Sequence, residues 1–262
     1  MTAEPALEIY LRTLRLPSVA ACHRELAEQA AQQSWSFSRY LYHCVEAEVQ
    51  DRKTHRIERN LKQSGLPHGK TIEAIELDRW PPKVRKQLPN LIDGTFVEKA
   101  ENILVFGNPG TGKSHLVAAL GHELVRKGFQ ILFIPTFRLV QQLLVAKRDL
   151  VLERTLKRLD VFDAVILDDI GYVQQDRDEM EVLFTFLAER YERRSVIITS
   201  NLVFSQWDRI FKDAMTTAAA IDRIVHHATI IELVGDSFRA NTAKGKAART
   251  AKQADEKEAI AN

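Results

Sequence analysis

The stretch Gly107-Asn108-Pro109-Gly110-Thr111-Gly112-Lys113-Ser114 matches the pattern G-x-x-x-x-G-K-[ST] at every fixed position. An apolar run, Ile103 to Phe106, precedes it, and a helix-forming segment from His115 to Lys127 follows. In this context the motif binds polyphosphate, because its backbone N–H groups and the helix N-terminus point at the anion. The sequence therefore predicts a nucleoside triphosphate site.

Two side chains of this loop are expected to contact the phosphates and their metal ion directly. The Lys113 ammonium is expected to reach the β- and γ-phosphates, and the Ser114 hydroxyl to ligate Mg²⁺. The alternative is a glycine-rich turn that binds nothing. We assign ATP binding to the loop and the residue after it: Gly107, Asn108, Pro109, Gly110, Thr111, Gly112, Lys113, Ser114 and His115.

The composition is that of a globular protein, with 45% hydrophobic residues among 262. No apolar run approaches the roughly 20 residues of a membrane span, so no membrane partner is expected. The first residues lack the basic start and apolar stretch of a secretion signal. Cys22 and Cys44 show no metal-ligand spacing, which favours free thiols in the cytoplasm. The net charge of +2 says little about partners.

Four segments differ in their patterns. Residues 1–66 carry apolar side chains at helical spacing and predict a helical N-terminal domain. Prolines punctuate residues 67–100, which predict a linker with one short helix. Residues 101–240 predict the ATPase domain, and residues 241–262 a basic, flexible tail.

Alternating strand and helix patterns after residue 101 predict an α/β fold, a parallel sheet flanked by crossover helices. Strands are expected at 102–106, 130–135, 163–168, 195–200 and 229–233. Helices are expected near 113–127, 137–147, 152–159, 178–193 and 215–226.

Two carboxylates, Asp168 and Asp169, end the apolar run that begins at Ala164. At the end of a strand beside the phosphate loop, Asp168 would hold Mg²⁺, usually through water. Asp169 would then polarise the water that attacks the γ-phosphate, which favours hydrolysis over kinase chemistry. The alternative is a solvated strand end.

Asn201 follows the next apolar strand and is expected to orient the attacking water; the alternative is a turn residue. Arg223 lies on the helix before the last strand, far from its own phosphate loop. We expect it to reach a neighbouring subunit's γ-phosphate, although a salt bridge with Asp222 is the alternative. His226-His227 lacks a third ligand in register and is interpreted as a structural pair.

Together these motifs resemble one family. Beside the phosphate loop they are Leu167–Tyr172, Glu189-Arg190-Tyr191-Glu192, Thr199–Leu202, Gln206-Trp207, Asp222–Ala228, Gly235–Arg239 and, near the start, Tyr10–Pro17. The chain is similar to the IstB-type transposition helper ATPases, relatives of DnaC-type helicase loaders in the AAA+ class. The resemblance covers about residues 8–240.

The resemblance implies an AAA+ ATPase that uses ATP and Mg²⁺, oligomerises as a ring or spiral on double-stranded DNA and assists a partner transposase. It implies no strand cleavage by the chain itself. Asp169 stands where many AAA+ proteins have Glu, and Phe238 where Tyr is more frequent. Arg239 matches a family arginine and is a second candidate for contacting nucleotide. Too few residues follow the last strand for a separate C-terminal lid domain.

Basic residues on the predicted helices are the candidates for DNA contact. Relatives use the region between strands two and three to face the central channel, and contacts there would be to the DNA backbone and salt-dependent. The alternative for both clusters is a solvated helix face. The main cluster is Lys147, Arg148, Arg154, Lys157 and Arg158, and the second is Arg52, Arg56 and Arg59.

Two other functions compete with a transposition helper. A DnaC-like replicative helicase loader would need a helicase partner and would prefer single-stranded DNA. A nucleotide-gated adaptor would bind ATP with negligible turnover, although Asp169 and Asn201 favour hydrolysis.

Overall fold

The computed structural model describes residues 3–75, 77–172, 177–202, 206–207 and 214–234. The chain divides into two compact units, Met1–Arg59 and Asn60–Asn262. No helix in the described ranges is long and apolar enough to cross a membrane.

The first unit is helical. It contains α1 (Ala3–Thr13), α2 (Pro17–Gln32) and most of α3 (Phe37–Ser64), whose last residues belong to the second unit. Pro17 opens α2 at a position where a proline costs no hydrogen bond.

A buried carboxylate from α3 caps α2. Leu16, at the N-cap, provides no side-chain hydrogen bond. Glu48 instead accepts hydrogen bonds from the backbone N–H groups of Ser18 at 2.9 Å and Val19 at 3.3 Å. Arg52 Nε donates to the same carboxylate at 2.8 Å. Burial alone would raise the pKa of Glu48, but these bonds outweigh burial and the pKa is lowered.

The second unit is built on a parallel five-stranded sheet of order β2-β3-β4-β1-β5. The predicted α/β fold is confirmed, with each strand end within one residue of its expected position. The strands are β1 (Asn102–Gly107), β2 (Ile131–Pro135), β3 (Ala164–Asp168), β4 (Ser195–Ser200) and β5 (Ala228–Leu233).

Helices flank this sheet, and short 3-10 turns lie at Ile72–Ala74, Leu77–Arg79 and Ile170–Tyr172. The helices are α4 (Pro82–Asp93), α5 (Thr95–Glu98), α6 (Lys113–Arg126), α7 (Thr136–Arg148), α8 (Leu152–Leu159), α9 (Arg177–Arg190) and α10 (Ala214–Val225).

Residues 67–100, expected to be a linker with one short helix, contain both α4 and α5. Val84, Leu88 and Leu91 share one face of α4 and are buried. This face packs in the second unit, where α4 contacts α6 and β5. The prolines misled the prediction because Pro82 occupies the first turn of a helix, where proline is tolerated.

The strands bury both faces of the sheet. Leu104, Val165 and Ile198 belong to the core cluster that includes side chains of α7 and α9. Ile166 faces α6, because a β-carbon added at Gly121 would lie 3.0 Å from its Cδ1 atom. Burial on both faces explains why these strands are continuous apolar runs.

One buried arginine joins three elements at the start of the strands. The Arg190 side chain is 1% exposed. Its Nη1 donates to the Leu159 carbonyl at 3.1 Å, and its Nη2 to those of Phe162 at 3.0 Å and Ser195 at 3.1 Å. Burial lowers the pKa of Arg190 to about 10, so the side chain stays charged at neutral pH. Arg190 thus ties the end of α8 to the starts of β3 and β4.

Replacing Glu48 with Gln should weaken the cap of α2. We expect faster hydrogen exchange at the Ser18 and Val19 amides at pH 7, measured by mass spectrometry, because a neutral amide is a weaker acceptor. The folded pKa is lowered, so the stabilisation exists above the unfolded pKa of about 4.3 and is lost as pH falls through the folded value. The difference from wild type should therefore shrink in acid. Glu58→Gln, exposed on the same helix, is the matched control.

Replacing Arg190 with Met should destabilise the second unit by about 3 kcal/mol or more, because several buried carbonyls lose their donor. Urea unfolding measures this loss. Arg193→Met is the control, since that exposed side chain pairs with Asp160 at 2.8 Å and such pairs contribute about 1 kcal/mol or less. Equal losses in the two variants would contradict the role assigned to Arg190.

Candidate nucleotide-binding site

Glycines shape the loop between β1 and α6. Gly110 and Gly112 have φ values of +85° and +96°, in the left-handed region that side chains disfavour. A β-carbon added at Gly107 would lie 2.4 Å from the Leu233 carbonyl oxygen and 2.9 Å from Thr111 Oγ1. The end of β5 therefore packs against the start of the loop so closely that only glycine fits.

The loop lysine lies within the loop itself. Lys113 is 5% exposed, and its Nζ donates to the carbonyls of Gly107 at 2.8 Å and Asn108 at 3.0 Å. Gly112 precedes α6 and offers no side-chain cap, so the helix N-terminus is open to an anion. Ser114, half-buried, lies in the first turn of α6. The loop residues thus fit a bound polyphosphate.

His115 also lies in the first turn of α6, where its Nε2 is 3.2 Å from the Thr71 carbonyl oxygen. Burial lowers the pKa of His115, against the opposing effect of the Thr71 bond, so the neutral imidazole is favoured. The contact places the segment before the 3-10 turn Ile72–Ala74 beside the phosphate loop.

A buried threonine organises the acidic pair at the end of β3. Thr199 Oγ1 donates to Asp168 Oδ1 at 2.7 Å and accepts the backbone N–H of Asp169 at 2.8 Å. Thr136 Oγ1 donates to the Asp168 carbonyl at 3.0 Å. Asp169 has a φ of +59°, uncommon for a residue with a side chain. Hydrogen bonds therefore orient the Asp168 carboxylate predicted to hold Mg²⁺.

Sequence reasoning missed Thr199, which is completely buried. The parallel register could have found it. Leu167 pairs with Ile198, so the residues that follow them, Asp168 and Thr199, end neighbouring strands side by side.

Asn201 follows β4, which lies between β1 and β3 in the sheet. Its Oδ1 is buried and has no hydrogen-bond partner within the described part of the chain. Because a β-carbon at Gly171 would lie 2.2 Å from this oxygen, only glycine leaves room for it. An unsatisfied buried acceptor between the phosphate loop and the acidic pair fits the predicted role of orienting water.

Arg223 lies at the opposite edge of the sheet. Asn102, the first residue of β1, donates from Nδ2 to the Ile224 carbonyl at 3.0 Å. The phosphate loop follows the last residue of β1, a strand of six residues that spans roughly 17 Å. Arg223 Cζ lies 4.7 Å from the Phe184 ring centroid, and its buried Nη1 has no hydrogen-bond partner among the described residues. The second candidate arginine, Arg239, lies outside the described ranges.

Several of the basic residues predicted to contact DNA form ion pairs with acidic side chains. Lys147 lies 3.1 Å from Asp178 and 3.0 Å from Glu181, and these bonds raise its pKa. Three further pairs are Arg148 with Asp149 at 2.9 Å, Lys157 with Glu153 at 2.5 Å and Arg52 with Glu48 at 2.8 Å. The structure records no ion pair with a described acid for Arg154, Arg158, Arg56 or Arg59.

Comparisons with known proteins identify the family to which the chain is similar. Residues 9–247 match the family model described as IstB-like ATP binding protein. The chain is 45% identical to an insertion sequence ATP-binding protein of Sinorhizobium fredii, y4iQ/y4nD/y4sD, over 92% of this chain and 81% of the relative. It is 37% identical to the IS21 ATP-binding protein of Pseudomonas aeruginosa, over 89% and 88% of the two chains.

Solved structures share the fold. The crystal structure of DnaI superposes with a TM-score of 0.54 at 21% identity, over 68% of this chain and 98% of that one. The structure of the replication initiator DnaA bound to AMPPCP and single-stranded DNA superposes with a TM-score of 0.55 at 16% identity, over 66% of this chain and 52% of that one. These likenesses concern the fold alone.

Replacing Thr199 with Val should weaken Mg²⁺-dependent nucleotide binding by about tenfold, because Asp168 loses the hydroxyl that orients it. Affinity without Mg²⁺ should stay unchanged. Titration of a fluorescent ATP analogue with and without Mg²⁺ measures both. Thr199→Ser keeps the hydroxyl and is the control; equal binding by the Val and Ser variants would refute the role of Thr199.

Proposed function

Because the chain belongs to the IstB-like ATP binding protein family, we propose that it is an ATPase that oligomerises on double-stranded DNA and assists the transposase of an insertion sequence. Its relatives carry names that associate them with insertion sequences and with ATP binding. The observation that carries the proposal is the position of Arg223 at the sheet edge opposite its own phosphate loop. Its buried Nη1 has no hydrogen-bond partner among the described residues.

The residues around the phosphate loop suit hydrolysis of ATP. Lys113 and the N-terminus of α6 would bind the phosphates, and Ser114 and Asp168 would hold Mg²⁺, which supplies positive charge at the phosphate oxygens when bound. Asp169 accepts the proton of the attacking water. Asn201 Oδ1, which has no hydrogen-bond partner in the described part of the chain, orients that water.

Arg223 completes this site in a neighbouring subunit. Because the length of β1, roughly 17 Å, separates the end of α10 from its own phosphate loop, the Arg223 guanidinium stabilises the charge of another subunit's transition state. The contact of the Arg223 guanidinium with the Phe184 ring holds the side chain in place before the subunits assemble. The arginine is therefore already oriented when the oligomer forms. Oligomerisation and hydrolysis are thereby coupled through one residue.

Duplex DNA contacts the α7–α8 region, where Arg154 and Arg158 are the strongest candidates because no described acid pairs with them. Lys147, Arg148 and Lys157 must exchange an acidic partner for phosphate, which reduces their contribution. Backbone contacts of this kind have little sequence preference and weaken with salt.

Arg223→Ala should keep nucleotide affinity nearly unchanged, abolish assembly and lower the ATPase rate by about 10³-fold or more. Lys113→Ala should lose nucleotide binding. Mixing the two inactive variants should restore phosphate release, because Lys113→Ala subunits supply Arg223 to the intact loops of their neighbours.

Failure of the mixture to recover activity, with both variants folded, would refute action in the neighbouring subunit. A large loss of nucleotide affinity in Arg223→Ala would instead indicate a role within its own subunit. Competition between double- and single-stranded oligonucleotides separates the transposition helper from a helicase loader, which would prefer the single strand.

A further inference from the structure

Three potential metal ligands meet at the sheet edge that carries Arg223. The carboxylate of Glu192 lies 3.8 Å from His226 Nδ1 and 3.8 Å from His227 Nε2. All three ligand atoms lie within 4.8 Å of one another. The histidine pair lacks a third ligand nearby in sequence, and the fold supplies one from another turn.

The sheet topology explains the convergence. Glu192 lies in the turn between α9 and β4, and the two histidines lie in the turn between α10 and β5. Because β4 and β5 both flank β1, the two turns meet at the same edge. Glu192 has a φ of +56°, a left-handed conformation that is uncommon for glutamate.

The neighbouring arginines, Arg193 and Arg194, form ion pairs with acids other than Glu192. Arg193 pairs with Asp160 at 2.8 Å and with Glu189 at 3.3 Å, and Arg194 pairs with Asp163 at 2.7 Å. Among the described residues, no lysine or arginine forms an ion pair with Glu192. A carboxylate without a cationic partner beside two imidazoles is available to a metal ion.

The accessibility of the three ligands also suits an ion that enters from solvent. Their side chains are 56%, 52% and 53% exposed for Glu192, His226 and His227. The Tyr191 hydroxyl lies 2.9 Å from His226 Nδ1, so in the neutral tautomer it donates to the same lone pair that a metal would use. Metal binding therefore displaces this hydrogen bond, while the Tyr191 hydroxyl also interacts with the Glu192 carboxylate.

We propose that Glu192, His226 and His227 bind one divalent transition-metal ion of the zinc type. Two imidazoles and one carboxylate form a known zinc donor set, which leaves a fourth position for water or another ligand. Ligand atoms of a tetrahedral zinc ion lie roughly 3.3 Å apart. The two 3.8 Å separations from Glu192 need a small contraction, and the two imidazoles, whose ligand atoms lie within 4.8 Å, must also approach each other. Bound metal would join the two turns and fix the end of α10. This site does not depend on the proposed function.

The test uses the full chain, treated with a chelator and titrated with Zn²⁺ against a chromophoric competitor at neutral pH without nucleotide. We expect one tightly bound equivalent. His226→Ala and His227→Ala should each weaken Zn²⁺ binding by about tenfold or more, and Glu192→Gln should weaken it as well. The reason is that residues bound directly to the metal contribute at least as much to affinity as the groups that orient them.

Three controls separate this site from others in the chain. His55→Ala removes an exposed imidazole that lies 3.2 Å from a single carboxylate, Asp51, and should change nothing. Asp168→Asn should change nothing either, which distinguishes the proposed magnesium site. Tyr191→Phe keeps all three ligands and should bind Zn²⁺ equally or more tightly.

The proposal is overturned if wild type takes up no Zn²⁺, or if both histidine variants bind it as wild type does. X-ray absorption of the loaded protein should show nitrogen and oxygen ligands alone; sulfur ligation by Cys22 or Cys44 would also overturn it.

Discussion

The position of β1 in the sheet determines where the phosphate loop lies relative to Asn201, the acidic pair and Arg223. Hydrogen bonding to β4 on one side and β5 on the other sets the phosphate loop beside Asn201 and the end of β5. The next strand along, β3, brings the acidic pair to the same edge. The same parallel order puts Arg223 at the far edge, about the length of β1 from its own loop. One pairing pattern thus separates the edge of the phosphate loop from the edge of the arginine that we propose acts on another subunit.

Buried polar groups at the two ends of the strands make this arrangement specific. Thr199 connects Asp168 to the backbone of Asp169, and Arg190 connects the starts of β3 and β4. Each such group would cost free energy if left without a partner, so it penalises any shift of one strand against the next. Some buried atoms have no hydrogen-bond partner among the described residues, and they include Asn201 Oδ1, Arg223 Nη1 and the Nε of Arg190 itself. Unsatisfied atoms of this kind are expected where a ligand or another subunit completes the site.

Local patterns predicted most of the second unit, because glycine loops, buried strands and amphipathic helices are recorded in short stretches of sequence. The bounds of β1 and the start of α6 followed from residues that are neighbours in the chain. Prediction was weaker where distant residues decide. The prolines of residues 67–100 indicated a linker, yet a buried face makes α4 part of the fold. In the basic cluster predicted to contact DNA, Lys147 pairs with two acids of α9, Asp178 and Glu181, that are distant in sequence.

By itself, the sequence determined the phosphate loop, the acidic pair and the α/β class, since each depends on residue types at fixed local spacing. Only the tertiary structure decided which polar groups are satisfied, because hydrogen bonds such as that of Thr199 to Asp168 join separate strands. The tertiary structure likewise decided that Glu192 lies beside the histidine pair, since two turns far apart in the chain lie at one sheet edge. The spacing of residues along the chain specifies the side chains of one turn or strand. The order of the strands in the sheet specifies which of these side chains lie close together.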